Sequence, residues 1–231
     1  MKIRSSIFAA ALMSLLAVPG RASTVLFSQG PTNTNGFSIT ETRLADDFVL
    51  SEPINTVTDL LFYYTFSSGG SPGDLGAVTY AFYANNSGAL GTVLQTSTIG
   101  SGNVTRNGQS GLCPTCASAT FSIATPLPLV GGTYWLELHN GSSLTDSTGF
   151  EIGWAAVDDS NATAPLIARW DQGSGMTPNT PVNSSGFNQY AYQVIGTTVP
   201  EPGALALLAV GLSLIALKAR RPRRPVTKAN L

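Results

Sequence analysis

Two cysteines, one histidine, three tryptophans and two acidic doublets are the side chains of this 231-residue chain whose types could do chemistry. Cys113-Pro114-Thr115-Cys116 is the only thiol pair. A C-x-x-C spacing serves a redox dithiol, a zinc knuckle or a local disulfide. A redox dithiol needs a helix N-terminus to lower one thiol's pKa, whereas this pair lies in a polar loop between strand-like runs. Zinc would need two further soft ligands, and the chain holds a single histidine, His139. A disulfide is left.

Gly69-Gly70-Ser71-Pro72-Gly73 matches the spacing of a serine-hydrolase nucleophile elbow. The residue after the nucleophile must donate its backbone N–H to the oxyanion, and Pro72 has none. His139, the one available base, falls by strand alternation on an exposed sheet face. Serine hydrolysis is therefore excluded. Asp46-Asp47 and Asp158-Asp159, with Asp74, Asp146 and Asp171, could supply a hard-cation site or a glycosidase pair. Adjacent strand residues point to opposite faces, so neither doublet is automatically a pair. Most of these acids are expected on a solvated surface. No cofactor is required, and a structural calcium ion is the one metal they would admit. Trp135 and Trp170 are expected to be the exposed rings able to stack on a sugar, while Trp154 shares a face with Phe150 and Ile152 and reads as core.

The elements that must position these residues are strands. Leu60, Phe62, Tyr64 and Phe66 alternate with Leu61, Tyr63 and Thr65, and Tyr134, Leu136 and Leu138 alternate with Trp135, Glu137 and His139. Period two with aromatic and β-branched enrichment predicts half-buried strands. Ser68-Gly69-Gly70-Ser71-Pro72-Gly73, Asn85-Asn86-Ser87-Gly88, Gly131-Gly132 and Asn140-Gly141 are the turn signals between them. Strands are expected near 44–51, 57–66, 77–84, 91–99, 117–124, 132–139, 149–157, 166–170 and 188–196. With no sustained helical spacing, the fold class is all-β, a jelly-roll-like two-sheet sandwich over residues 23–197.

The ends differ from this middle. Residues 1–22 carry Lys2 and Arg4, an apolar run from Ile7 to Val18, a Pro19-Gly20 break and small residues at Gly20 and Ala22. That order predicts a signal peptide cut by signal peptidase between Ala22 and Ser23. In an exported chain the thiol pair is expected as the disulfide Cys113–Cys116. At the other end come Val199, Pro200, Glu201 and Pro202, then an uncharged run from Gly203 to Leu217, then Lys218, Arg220, Arg221, Arg223 and Arg224. The apolar run is 15 residues, about 22 Å as a helix, short against a hydrocarbon core of about 30 Å. Flanking basic side chains can snorkel, so the span is marginal and suits a temporary anchor, with the basic cluster and residues 225–231 on the cytoplasmic side. Between Ser23 and Thr198, three arginines and no lysine stand against twelve acids, leaving a net −9. A surface of that sign repels phosphate backbones and excludes nucleic acid as a partner.

The motif, apolar run and basic cluster over residues 198–224 resemble the PEP-CTERM sorting signal of exported bacterial proteins. The resemblance implies processing by an exosortase, a membrane-embedded transpeptidase-like enzyme, with Pro200, Glu201 and Pro202 matching the motif. The segments Tyr80–Leu94 and Gly131–Leu138 are similar to β-sandwich ectodomains carried ahead of such tails, which implies a fold and no particular activity. The expected protein is non-enzymatic. It crosses the inner membrane, is held there transiently with its domain on the periplasmic side, and then passes to the cell surface or extracellular matrix. The resemblance links such proteins to biofilm and exopolysaccharide. A carbohydrate-binding module is the alternative, favoured by an exposed ring platform, and a matrix-polymer hydrolase a more distant one, favoured by two facing carboxylates in one cleft.

Overall fold

The computed structural model describes residues 23–30, 36–40, 42–66, 70–108, 116–144, 151–158, 167–171, 187–198 and 212. The chain divides after Thr198 into two units, and nearly all the described residues belong to the first. Its described residues form eleven strands: β1 Thr24–Gln29, β2 Gly36–Ser38, β3 Thr42–Phe66, β4 Val78–Asn85, β5 Leu90–Ile99, β6 Thr105–Asn107, β7 Cys116–Asn140, β8 Ile152–Asp158, β9 Ile167–Asp171, β10 Phe187–Tyr190 and β11 Tyr192–Thr198. Every pairing is antiparallel. The order β1-β11-β3-β7-β4-β5 forms one continuous sheet, with β9 and β8 also on β3, β6 on β7, and β2 and β10 on β8.

That sheet closes over itself into two layers. Tyr192 is the ladder partner of Phe62, yet its ring lies 6.4 Å from that of Phe48. Phe48 precedes Phe62 by 14 residues, about 46 Å along a straight strand. Strand β3 must therefore double back. In the same way Tyr80, the partner of Leu138, sits 5.7 Å ring to ring from Phe121, which β7 reaches 17 residues earlier. The bend lies where the β3–β7 register slips, between Leu50 and Ile54 and again between Val57 and Asp59. Bulges turn a strand in this manner. One layer thus holds β9, the first half of β3, the last part of β7, β4 and β5. The other holds β1, β11, the second half of β3 and the first part of β7. The expected two layers are present, but they share two strands rather than forming separate sheets.

Inward-facing residues from both layers make one core, including Leu44, Phe48, Leu60, Phe62, Tyr64, Tyr80, Phe82, Leu136, Leu138, Trp154 and Tyr192. Trp154 stacks on Tyr190 at 4.7 Å and donates its indole N–H to the Ala191 carbonyl at 3.1 Å. A buried indole keeps its polar handle satisfied in this way.

Candidate functional site

Polar side chains collect on the outer face of the first layer, where alternation alone expects solvent. Glu137 is central to them. Its ladder neighbours are Ala45 on β3 and Ala81 on β4, and these small side chains leave space above the carboxylate. Arg43 and Tyr83, each two residues along from those alanines, fill it. Arg43 Nε donates to Glu137 Oε1 at 2.6 Å and Nη2 donates to Oε2 at 3.0 Å, a bidentate pair. The Tyr83 hydroxyl donates to Glu137 Oε2 and accepts from Arg43 Nη2 at 3.3 Å.

The Glu137 side chain is fully buried and that of Arg43 is 26% exposed. Burial alone would lower the guanidinium's pKa, but the hydrogen bonds and charge of Glu137 outweigh it and raise it. Burial first, and the adjacent carboxylate second, push the Tyr83 phenol up. Arg43 is thus held charged and Tyr83 neutral. A carboxylate already accepting three hydrogen bonds is a fixed strut, and using it as a base would strand a half-buried arginine.

Trp135, expected as an exposed ring, is 2% exposed. It packs with Ala45, Ala81 and Tyr83 under Leu90 and Leu144, and its indole N–H donates to Asn85 Oδ1 at 3.2 Å. It therefore offers no platform to a sugar. His139, expected on an exposed face, is fully buried opposite Thr79. Both corrections have one cause: the outer face is covered, and alternation reports that two faces exist without saying which is wet.

The Asp46-Asp47 doublet is likewise buried rather than solvated. Asp46 Oδ2 accepts the Tyr190 amide at 2.8 Å and Oδ1 the Asp47 amide at 3.1 Å. It ties β3 to the end of β10. Burial, then the charge of Asp47, hold its carboxyl well above the usual range, while those two amide donors oppose the rise. Asp59 accepts from the hydroxyls of Thr58 and Ser122, each at 2.6 Å. Asp158 and Asp171 end β8 and β9, with their side chains outside the described set, and Asp146 and Asp159 lie outside it altogether. Among the described residues no group of three His, Cys, Asp or Glu comes together to hold a metal ion.

Ser71 precedes a single 3-10 turn, Pro72–Asp74, and its amide donates to the Asp74 carboxylate. The Tyr64 hydroxyl fixes the same turn by donating to the Pro72 carbonyl at 2.7 Å. The elbow-like spacing is a capped turn. Arg106, which the sequence did not single out, binds the carbonyls of Leu75, Gly76, Ser101 and Val104. Its only signal was rarity, as one of three basic residues in an acidic domain.

Cys116 is buried and disulfide-bonded, and Cys113, the chain's one other cysteine, lies outside the described residues. The Trp170 backbone pairs with Arg43 in β9, and its side chain is outside the described set. Ser23 is described and exposed, whereas Ala22 is not described. Val199, Pro200, Glu201, Pro202, Lys218, Arg220, Arg221, Arg223 and Arg224 also lie outside the described residues. Within the apolar run only Leu212 is described, and it is helical. No helix among the described residues is long and apolar enough to cross a membrane.

An all-β domain followed directly by a proline-flanked acid, an apolar run and a basic cluster defines an exported protein tagged for sorting. Residues 198–224 match the family model described as the PEP-CTERM protein-sorting motif, so the chain carries that signal. Such a tail implies export, transient membrane anchoring and exosortase processing before release to the surface or exterior. No curated protein matches the chain. A solved structure described as that of infectious bursal disease virus Gx strain aligns at 13% identity over 88% of this chain and 46% of that one. The chain thus spans about half of that protein's length, and a TM-score of 0.18 carries no argument.

Proposed function

We propose that residues 23–197 form a non-enzymatic passenger delivered to the cell surface or extracellular matrix, where it associates with exopolysaccharide of a biofilm. In this reading signal peptidase cuts between Ala22 and Ser23, and an exosortase then acts at Pro200-Glu201-Pro202. Gly203–Leu217 is the temporary membrane helix, and residues 218–231 stay cytoplasmic.

The sorting motif at 198–224 carries the reading. The character of the polar residues supports a structural role. Glu137, Arg43 and Tyr83 are bound to one another, Asp46 to backbone amides, and Ser71 to a turn. The burial of Trp135 removes the observation that most favoured a carbohydrate-binding module. Intact-mass measurement of protein recovered from the cell surface is the test. A mass that begins at Ser23 and lacks the basic cluster is expected, and recovery of a chain extending through Arg224 would overturn it. Co-sedimentation with the host's extracellular polysaccharide checks the matrix assignment, and equal recovery with and without polysaccharide would remove it.

A further inference from the structure

Strand β11 runs to Thr198, and the sorting motif begins at that same residue. Thr197 and Thr198 are still in the sheet, opposite Thr56 and Asn55 of β3. On the other side the β1 pairing stops two residues earlier, at Thr24 opposite Gly196. The last two residues therefore hold to β3 alone. Upstream of them, Gly196 is pressed against β3, where a Cβ would collide with the Thr56 carbonyl oxygen.

Lengths make this arrangement consequential. From Thr198 to Pro200 is two residues, about 7 Å of extended chain. A folded domain of about 175 residues has a radius of gyration of about 16 Å. An enzyme that reads Pro-Glu-Pro at a membrane face must seat extended residues on both sides of the bond it attacks. The folded body thus lies within the reach of the enzyme's own binding cleft.

We propose that the folded domain controls its own sorting: Thr197 and Thr198 must leave β3 before the exosortase can engage the motif, so the pairing of the end of β11 sets the processing rate. The strand end behaves as a two-rung latch with single-sided pairing, and Gly196, held between β1 and β3, marks where the opening stops. Low-stability ends of elements open locally without global unfolding, and processing enzymes act on such opened segments. The proposal rests on the tail being an exosortase signal, and the experiment separates the two ideas.

Pulse-labelled full-length chain in a host with its exosortase gives the rate at which precursor becomes mature protein. A six-residue Gly/Ser spacer between Thr198 and Val199 leaves every strand intact and is expected to raise that rate three-fold or more. Thr56→Cys with Thr197→Cys places two cysteines directly opposite across the ladder, at a spacing a disulfide can bridge. Once a non-reducing gel confirms the bridge, processing is expected to fall at least three-fold, and adding the spacer to the bridged chain is expected to restore it. If the bridge does not form, the spacer arm decides. Unchanged rates in the spacer and bridged chains would overturn the latch, provided that replacing Pro200, Glu201 and Pro202 by alanine blocks processing. If the alanine chain is processed like the wild type, the sorting reading fails and takes the latch with it.

Discussion

Three donors from two neighbouring strands converge on the Glu137 carboxylate, and that convergence makes it the side chain whose loss the outer face tolerates least. Glu137→Gln keeps the shape but leaves the Arg43 charge facing a neutral amide in a half-buried site. Breaking one partner of a buried pair costs about 3–5 kcal/mol, and the water still reaching Arg43 puts this case near the lower figure. Urea unfolding at neutral pH measures it, and a cost under about 1 kcal/mol would show the pair to be ornamental. Asp46 gives a pH dependence of definite sign. Unfolded, an aspartate titrates near about 3.9. Folded, burial and the charge of Asp47 raise Asp46 well above that. The native state therefore binds more protons in the interval between, and the stability Asp46 contributes is complete below about pH 4 and declines as pH rises through the folded value. The melting temperature of the wild type minus that of Asp46→Asn is expected to shrink between pH 4 and pH 8, and a constant difference contradicts the assignment. Neither role was legible in the sequence. Glu137 and Asp46 read as ordinary members of an acidic surface, because a carboxylate's burial depends on what crosses over it. The reverse inference, that Ser71 followed by Pro72 cannot be an elbow nucleophile, needed only the missing amide and held.

At the scale of elements, most strand positions were legible and their continuity was not. The expected runs 44–51 and 57–66 are the two halves of β3, and 117–124 and 132–139 lie within β7. Gly131-Gly132 reads as a break between strands, and Pro53, Pro126 and Pro128 also fall between the expected runs. Here they sit at or beside the register slips, and a residue without an amide donor is tolerated in a strand at such irregularities. The expected run 188–196 divides instead, into β10 and β11, with Ala191 between them donating its amide to Ala155 and accepting from Tyr63. Strands β1, β2 and β6 were missed. The latter two are three residues long, too short for alternation to register. Gly196 has the least room for a side chain of the described glycines. A methyl group there would meet the Thr56 carbonyl and the Leu26 side chain. Gly196→Ala is expected to cost about 2 kcal/mol by overpacking, lowering the melting temperature by about 4–8 °C for a domain of this size. Calorimetry on the purified domain checks this, and an unchanged transition would show that β11 shifts at no cost.

The whole molecule was legible as far as its class, because composition and period two fix an all-β domain between two unlike ends. Its closure was not, since a fold-back is recorded in contacts between residues far apart in the chain. The Ser23–Thr198 segment, with one core shared by both layers and a net −9, is expected to fold without the tail as a soluble monomer. Circular dichroism and sedimentation measure this, and a predominantly helical spectrum or persistent aggregation at low salt counts against it. The placement of the two chain ends has a mechanical consequence. Thr24 opens β1 as the ladder partner of Gly196 near the close of β11, so the chain enters and leaves this body at one corner. Tension applied between those ends peels β1 from β11 one rung at a time, and the body yields gradually at low force. Tension between Thr198 and Ile99, at the far edge of the sheet, must instead shear several ladders at once. Single-molecule pulling from the two pairs of attachment points is expected to give a lower unfolding force for the first. A body tethered through both of its ends would therefore extend under drag, whereas the same body loaded between Thr198 and Ile99 would resist.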